Sequence, residues 1–368
     1  MFNLALFVQI TYYSRISTVL NIVMKTLLFF TLLFITINSN AQFGGTKTYQ
    51  FINFTSSARV EGAGGYLIAI KDKDATLGIE NPSLLNKEMH GYLALDYVNQ
   101  FAGANYGFAS YTKHYDKLGT LNGSLLFANY GKFEYADVEG IKNGATFTAS
   151  DFDLRIGIGR SITDRISLGG NINLLASFYE TYNSFGISTT LGANYYNKEK
   201  EFSSGLVIKN IGYQLKSYTK NNKESLPFNA VISISKKLAH APFRFSLTYH
   251  NLQKFNLLFF DANAPLETDP LTGELVENKP PSFATKFMQH IIIGGELILT
   301  ENFHIQAGYN HNIRYLNKTT AKPGATGLSW GIGFNVKRFH IAYGMGKRHI
   351  AGANNHITIS TKIGKAID

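Results

Sequence analysis

The sequence predicts an all-β fold, a transmembrane antiparallel β-barrel of about fourteen strands, and three observations predict it. The first is strict alternation. In Ile166–Tyr179, the residues Ile166, Leu168, Gly170, Ile172, Leu174, Ala176 and Phe178 form one set, apolar or small throughout. Ser167, Gly169, Asn171, Asn173, Leu175, Ser177 and Tyr179 form the other, mostly small and polar. A period of two means a strand with two unlike faces. The second observation is length: soluble strands run to about 5–6 residues, whereas a tilted strand needs about 9–11 to cross a bilayer. The third is composition. There are 34 Gly, 28 Phe and 21 Tyr, charged residues are 16%, and Cys is absent. No apolar run in the body of the chain reaches the roughly 18 residues of a membrane helix.

The N-terminus reads as a targeting segment. Met24-Lys25-Thr26 opens a short basic region, Leu27–Ile37 is an apolar core, and Asn38-Ser39-Asn40-Ala41 precedes Gln42. This is the pattern of a secretory signal peptide cut after Ala41. Residues 1–23 read as upstream sequence, with Met24 the expected start. Residues 42–90 alternate poorly. Gly62, Gly64 and Gly65 imply tight turns, Asn81-Pro82 marks another, and Ser56-Ser57-Ala58-Arg59 suits a short helical turn. The expectation is a plug or hatch inside the barrel.

Residues 91–368 carry the strands, expected at Gly91–Gln100, Ala104–Tyr115, Gly119–Asn129, Thr146–Arg160, Ile166–Tyr179, Ser184–Asn197 and Phe202–Asn210. The series continues with Leu226–Lys236, Phe243–Leu252, Phe287–Leu299, Phe303–Asn312, Gly327–Val336, Phe339–Gly344 and Asn355–Ile363. Every second connection is short. The others are mostly long: 130–145, 211–225, 253–286, 313–326 and 345–354. Membrane barrels have an even strand number, short periplasmic turns and longer outer loops, which a soluble sandwich has no reason to imitate. This parity puts the long loops at the cell surface and both mature ends in the periplasm. Fourteen strands enclose more space than their own side chains fill, so the lumen needs a plug or carries a solute.

Nothing in the sequence points to catalysis. There is no GxSxG elbow for a serine hydrolase, and thiol-based metal sites are excluded. Asp72 and Asp74 in KDKDATLGIE resemble the start of a calcium loop, but the Gly and terminal Glu fall at the wrong spacing. His304, His311, His340, His349 and His356 read as lumen polar residues. The net charge of +10 is scattered, which suits anionic lipid better than nucleic acid. No cofactor is expected. The longest loop, 253–286, is acidic and proline-containing. It reads either as a solvated loop or as a docking surface for a protein partner, in the latter case through Phe259, Asp261, Glu267, Asp269 and Glu274.

Two stretches carry a family resemblance. Phe51–Gly65, FINFTSSARVEGAGG, resembles the N-terminal signature of PorV and PorQ, the FadL-like barrels of the type IX secretion system. Lys236–Gln253, KKLAHAPFRFSLTYHNLQ, is similar to the PorQ family in particular, as are Phe101–Gly107, Gly144–Phe152 and Gly205–Leu215. Glu61-Gly62 departs from the small or apolar pair expected there. The resemblance implies a non-enzymatic outer-membrane protein that holds a soluble PorZ-like partner at the cell surface through its outer loops, 253–286 first, then 130–145 with Tyr135 and 211–225 with Tyr218. Through that partner it would engage the PorU/PorV sortase complex, beside lipopolysaccharide. The alternative is a FadL-type channel for hydrophobic small molecules, which requires an apolar pocket in the lumen and a lateral gap in the wall.

Overall fold

The computed structural model describes residues 47–363, apart from 101–102, 138, 221, 259, 261–266, 269–274, 277–278 and 318–323. Fourteen strands close into one antiparallel barrel. In order they are β1 (Tyr92–Asn99), β2 (Asn105–Tyr115), β3 (Gly119–Ala136), β4 (Lys142–Ser161), β5 (Ile166–Tyr179), β6 (Tyr182–Asn197) and β7 (Phe202–Lys216). They continue with β8 (Asn229–Lys237), β9 (Phe243–Tyr249), β12 (Ile291–Thr300), β13 (Phe303–Asn310), β14 (Leu328–Val336), β15 (Phe339–His349) and β16 (Gly352–Lys362). A separate two-strand ribbon, β10 (Glu267–Thr268) with β11 (Leu275–Val276), lies in the longest connection. The ring closes where β1 pairs with β16, from Tyr92 opposite Lys362 to Asn99 opposite Asn355.

The faces follow the alternation. On β5, Ile166, Leu168, Ile172 and Leu174 are exposed, while Ser167, Asn171, Asn173 and Ser177 are buried. The outward set is oily and the inward set polar, the reverse of a soluble barrel with a dry core. Leu175 is the exception on the inward face, and it packs into an internal apolar cluster with Tyr49, Phe51 and Ile52.

Differences from expectation have identifiable causes. Strands β3 and β4 run on through 130–136 and 142–145, and the turn shrinks to 137–141. Gly131 and Gly144 look like loop residues in the sequence, but each sits at positive φ within a hairpin whose register shifts after Asn129 and after Glu134. Phe133 stacks on its cross-strand partner Phe147 at 5.3 Å, which holds the extension together. Strands β15 and β16 likewise absorb most of 345–354. Phe287 lies in a short helix, Phe283–Met288, and not in a strand. The extended connections are therefore 217–228, 250–290 and 311–327, all on one rim.

The segment before β1 lies inside the wall. It forms a short helix, Ala58–Gly62, then Leu77–Glu80, joined by turns, and most of its residues are buried. Ser57 caps the first helix by accepting from the Val60 amide. The expected mature start at Gln42 lies outside the described residues. Strand parity places residues 91 and 363 at the short-turn rim, but Lys47 bridges Ser225 in the 217–228 connection, at the opposite rim. Between Lys47 and residue 91 the segment passes from one rim to the other, which strand counting cannot see.

Its backbone runs against wall positions that lack a side chain. A Cβ at Gly344 would overlap the Ala58 carbonyl, at Gly205 the Ile68 carbonyl, and at Gly169 the backbone of Pro82. At Gly192 it would overlap the Asn81 amide oxygen. These glycines face inward, so their role is close approach. Gly344→Val and Gly169→Val should each loosen the inner segment while the barrel still forms. Limited proteolysis should then cut within 47–90 at least tenfold faster than in the parent, and an unchanged cleavage rate would contradict this packing.

Candidate functional site

The lumen is where this molecule concentrates its chemistry. Three charge pairs tie the inner segment to the wall at different levels. Near the loop rim, Arg348 of β15 donates to Glu61, Nε to Oε1 at 2.7 Å, and Thr55 donates to the same carboxylate at 2.7 Å. Midway, Lys209 Nζ of β7 meets Glu80 at 3.0 Å. Toward the short-turn rim, Arg59 meets Glu296 of β12 at 2.7 Å, Asp72 at 2.8 Å and Asp74 at 3.1 Å, and Arg244 of β9 joins Glu296 at 2.9 Å. A neutral bond adds to these, from the Ala58 amide to Thr358 at 2.7 Å.

Glu61, Glu80, Lys209, Arg59 and Glu296 are buried, whereas Arg348, Asp72, Asp74 and Arg244 keep part of their surface in solvent, so it is the buried charges that depend on their partners. Burial pushes the Glu61 carboxyl up, but Arg348, with help from His356 and the Thr55 hydroxyl, holds the group below the ordinary 4.5. Glu80 follows the same logic: burial raises it, and Lys209, the Ser56 hydrogen bond and Arg155 together hold it below its ordinary value. Glu61 is where the sequence departs from the small or apolar pair of the family signature. It is a principal anchor. Asp72 and Asp74 are the counter-ions of Arg59 and belong to no calcium loop.

Beyond the ion pairs the interior divides in two. Toward the loop rim, Tyr49, Phe51, Ile52, Tyr106, Phe108 and Leu126 form an apolar cluster. At its edge the buried carboxylate of Asp151 accepts hydroxyls from Tyr130 at 2.6 Å and Tyr179 at 2.8 Å, and also from Ser177. At the other end a cavity of about 530 Å³ opens, and its lining is charged, including Arg59, Asp72, Asp74, Arg244, Glu296 and Lys337. On the outer wall, two apolar grooves of about 460 and about 580 Å³ run past the outward-facing Gly107 and Gly170.

The histidines fall as follows. His356 is fully buried and hydrogen-bonds Asp96 through Nδ1 at 2.9 Å. His304 and His340 stack at 5.5 Å beside the charged cavity. His311 begins a short helix, and His349 ends β15.

Of the residues expected to meet a partner, Phe259, Asp261, Asp269 and Glu274 lie outside the described residues, and Glu267 stands in β10. Tyr135 is at the tip of the β3–β4 hairpin, its ring 5.0 Å from Phe147. Tyr218 stacks on Tyr179 at 5.4 Å and lies 6.5 Å from Tyr49, so it belongs to the rim cluster around Asp151. No ring contact joins Tyr135 to Tyr218 among the described residues. The ion-pair anchors were missed by sequence reading. A signal existed, because Asp96, Asp151, Asp153, Arg155, Lys209 and Glu296 all occupy the inward register of a strand.

No protein-family model matches the chain, and no curated sequence does. Solved structures do. A monoaromatic hydrocarbon channel, the TodX deltaS2S3 mutant, aligns with a TM-score of 0.53 at 12% identity, over 84% of this chain and 99% of that one. The TodX deltaS2 mutant aligns with a TM-score of 0.50 at 12% identity, over 85% and 98%. A Pseudomonas aeruginosa FadL homologue gives 0.45 at 10% identity, over 84% and 99%. The first two establish a shared fold, a closed fourteen-strand antiparallel barrel.

Removing one partner of a buried pair leaves an uncompensated charge, at a cost of about 3–5 kcal/mol. Glu61→Gln and Arg348→Met should each lower unfolding stability on that scale in denaturant titrations, and the double variant should recover most of the loss. Glu61 and Glu80 have depressed pKa values, so their stabilisation is complete above 4.5 and is lost as pH falls through the lowered values. Acid should therefore expose 47–90 to proteolysis before the barrel unfolds.

Proposed function

We propose that this chain is a non-enzymatic integral outer-membrane barrel, closed at rest by its own N-terminal segment, which acts through the surface its loops present. The occupied lumen supports this reading. A segment tied to the wall by buried charge pairs at three levels makes a poor open pore. A solute could pass only after those pairs separate, each at several kcal/mol. A rigid wall with its three long connections on one rim is instead a platform, with those loops at the cell surface.

The resemblance to the PorQ family gives the platform a specific role. It would anchor a PorZ-like soluble protein, and through it the PorU/PorV sortase complex, for attachment of type IX cargo beside lipopolysaccharide. That role rests on the sequence resemblance alone. The partner surface would centre on 253–286, supported by the β3–β4 hairpin and 217–228, and would need about 1,200–2,000 Å² in total.

A second reading has its own support. The solved structures that share the fold are described as monoaromatic hydrocarbon channels, and this favours a FadL-type channel for hydrophobic small molecules more directly than it favours secretion. The inner segment would then be a gate, and the apolar cluster around Phe51 and Phe108 the place a ligand would enter.

One experiment separates the two. Replacing 253–286 with a short turn should leave a folded barrel in the outer membrane and abolish recovery of a protein partner in mild-detergent pulldowns. Full retention of that partner would remove the loop from the interface. Absence of any protein partner, with an apolar small molecule or lipid co-purifying in the parent, would replace the platform reading with the channel.

A further inference from the structure

The cavity at the short-turn rim gathers more cations than its own acids engage. Its volume of about 530 Å³ falls within the roughly 300–1,000 Å³ of small-molecule sites. The floor is already paired. Arg59 and Arg244 are held by Glu296, and Arg59 also by Asp72 and Asp74. Around the mouth stand further cations: Lys73 of the inner segment, Lys237 at the end of β8, Lys337 and Arg338 in the β14–β15 turn, and Lys362 at the end of β16. None of these forms an ion pair among the described residues. Of the lining carboxylates, Glu88 and Glu301 are left to oppose them.

The barrel register brings three of these cations together. Val336 faces Phe339 across the β14–β15 turn, and Phe339 faces Thr361, so Lys337, Arg338 and Lys362 close the ends of neighbouring strands. Cζ of Arg338 lies 5.3 Å over the Phe339 ring, which steadies the guanidinium. The wall adds uncharged hydrogen-bonding groups. His304 and His340 stack beside the cavity, and a Cβ at Gly333 would come within 2.4 Å of Nε2 of the first and 3.1 Å of Nε2 of the second. His304 Nε2 is buried without a hydrogen-bond partner. Higher in the lumen the pattern differs, for there Arg348 meets Glu61 and Lys209 meets Glu80. A water-filled mouth with an excess of one charge concentrates ligands of the other.

We propose that this cavity binds a phosphate-bearing ligand, held by Arg338, Lys337, Lys362 and Lys73. A guanidinium presents a planar fork that takes two phosphate oxygens, and ammonium groups add point charges around it. A phosphate monoester carries close to two charges and three strong acceptor oxygens, so it can engage several cations at once, where a lone carboxylate engages one or two. The phosphate has two sources: a soluble monoester, or the head group of a phospholipid in the leaflet at that rim. The inference uses only the residues of the cavity, at the rim opposite the long connections, so it stands under either functional reading.

The full-length barrel in detergent is titrated at constant ionic strength with glycerol 3-phosphate, and lipid binding is read by native mass spectrometry with phosphatidic acid. Succinate and diacylglycerol are the matching probes without phosphate. At least one phosphate probe should bind about tenfold tighter than its counterpart, the gain expected from charge-assisted hydrogen bonds. Binding of glycerol 3-phosphate assigns the site to a soluble monoester, and binding of phosphatidic acid alone assigns it to lipid. Lys337→Gln with Arg338→Gln, in an exposed turn away from the paired floor, should weaken that binding by about tenfold. Lys117→Gln with Arg165→Gln, on other turns of the same rim and outside the cavity, should leave it unchanged. Heat-modifiable migration on gels confirms that each variant retains its barrel. No binding of either phosphate probe, equal affinity for the phosphate-free probes, or an equal loss in both double variants would overturn the site.

Discussion

Every other feature of this protein depends on closure of the backbone hydrogen-bond ladder. A wall whose outer face is Leu, Ile and Phe has no water to satisfy an open edge, and each orphaned amide or carbonyl in lipid costs several kcal/mol. The eight-pair register between β1 and β16 removes that edge. Once the ring is closed, the side-chain period of two sends one set of residues outward and the other inward. The interior is polar because the exterior is oily.

A polar interior creates a second requirement. Inward Asp, Glu, Lys and Arg in a narrow lumen must find partners or stay hydrated. The inner segment meets that requirement at Glu61, Glu80 and Arg59, each facing a complementary charge from a different strand. Buried pairs of this kind contribute less to net stability than to specificity, because a shifted segment would strand charges on both sides. Inward glycines serve the same end sterically. At Gly344, Gly205 and Gly169 the wall makes room for one backbone path and no other. The fold shared with the solved TodX structures reaches no further than this wall, which can surround either a gate or a permanent stopper.

The wall was legible in the sequence because it depends on a local rule. Alternation at Ile166–Tyr179 or Leu328–Val336 needs only neighbouring residues, and lipid outside enforces it. Reading failed where a local signal has two meanings. Gly131 and Gly144 carry the mark of a loop, yet they form irregularities in a hairpin that continues. Phe287 extends an apolar run into what is in fact a helix. Leu175 was visible as an apolar residue on a polar face, a trace of the cluster it packs into, but its partners were not.

By itself, the sequence determined the class of fold, the number of wall strands, the face each residue takes and the rim that carries the long connections. All of these follow from the period of a strand and from a solvent that cannot hydrogen-bond. Only the tertiary structure decided that Glu61 belongs to Arg348, that Asp72 and Asp74 serve Arg59, that Lys47 lies at the rim opposite the start of β1, and that Lys73 joins Lys337, Arg338 and Lys362 around one cavity. Each of these joins residues distant in the chain, or sets the path of a segment without periodicity. Their pairing depends on the shape of the closed lumen, which exists only after the ring has formed.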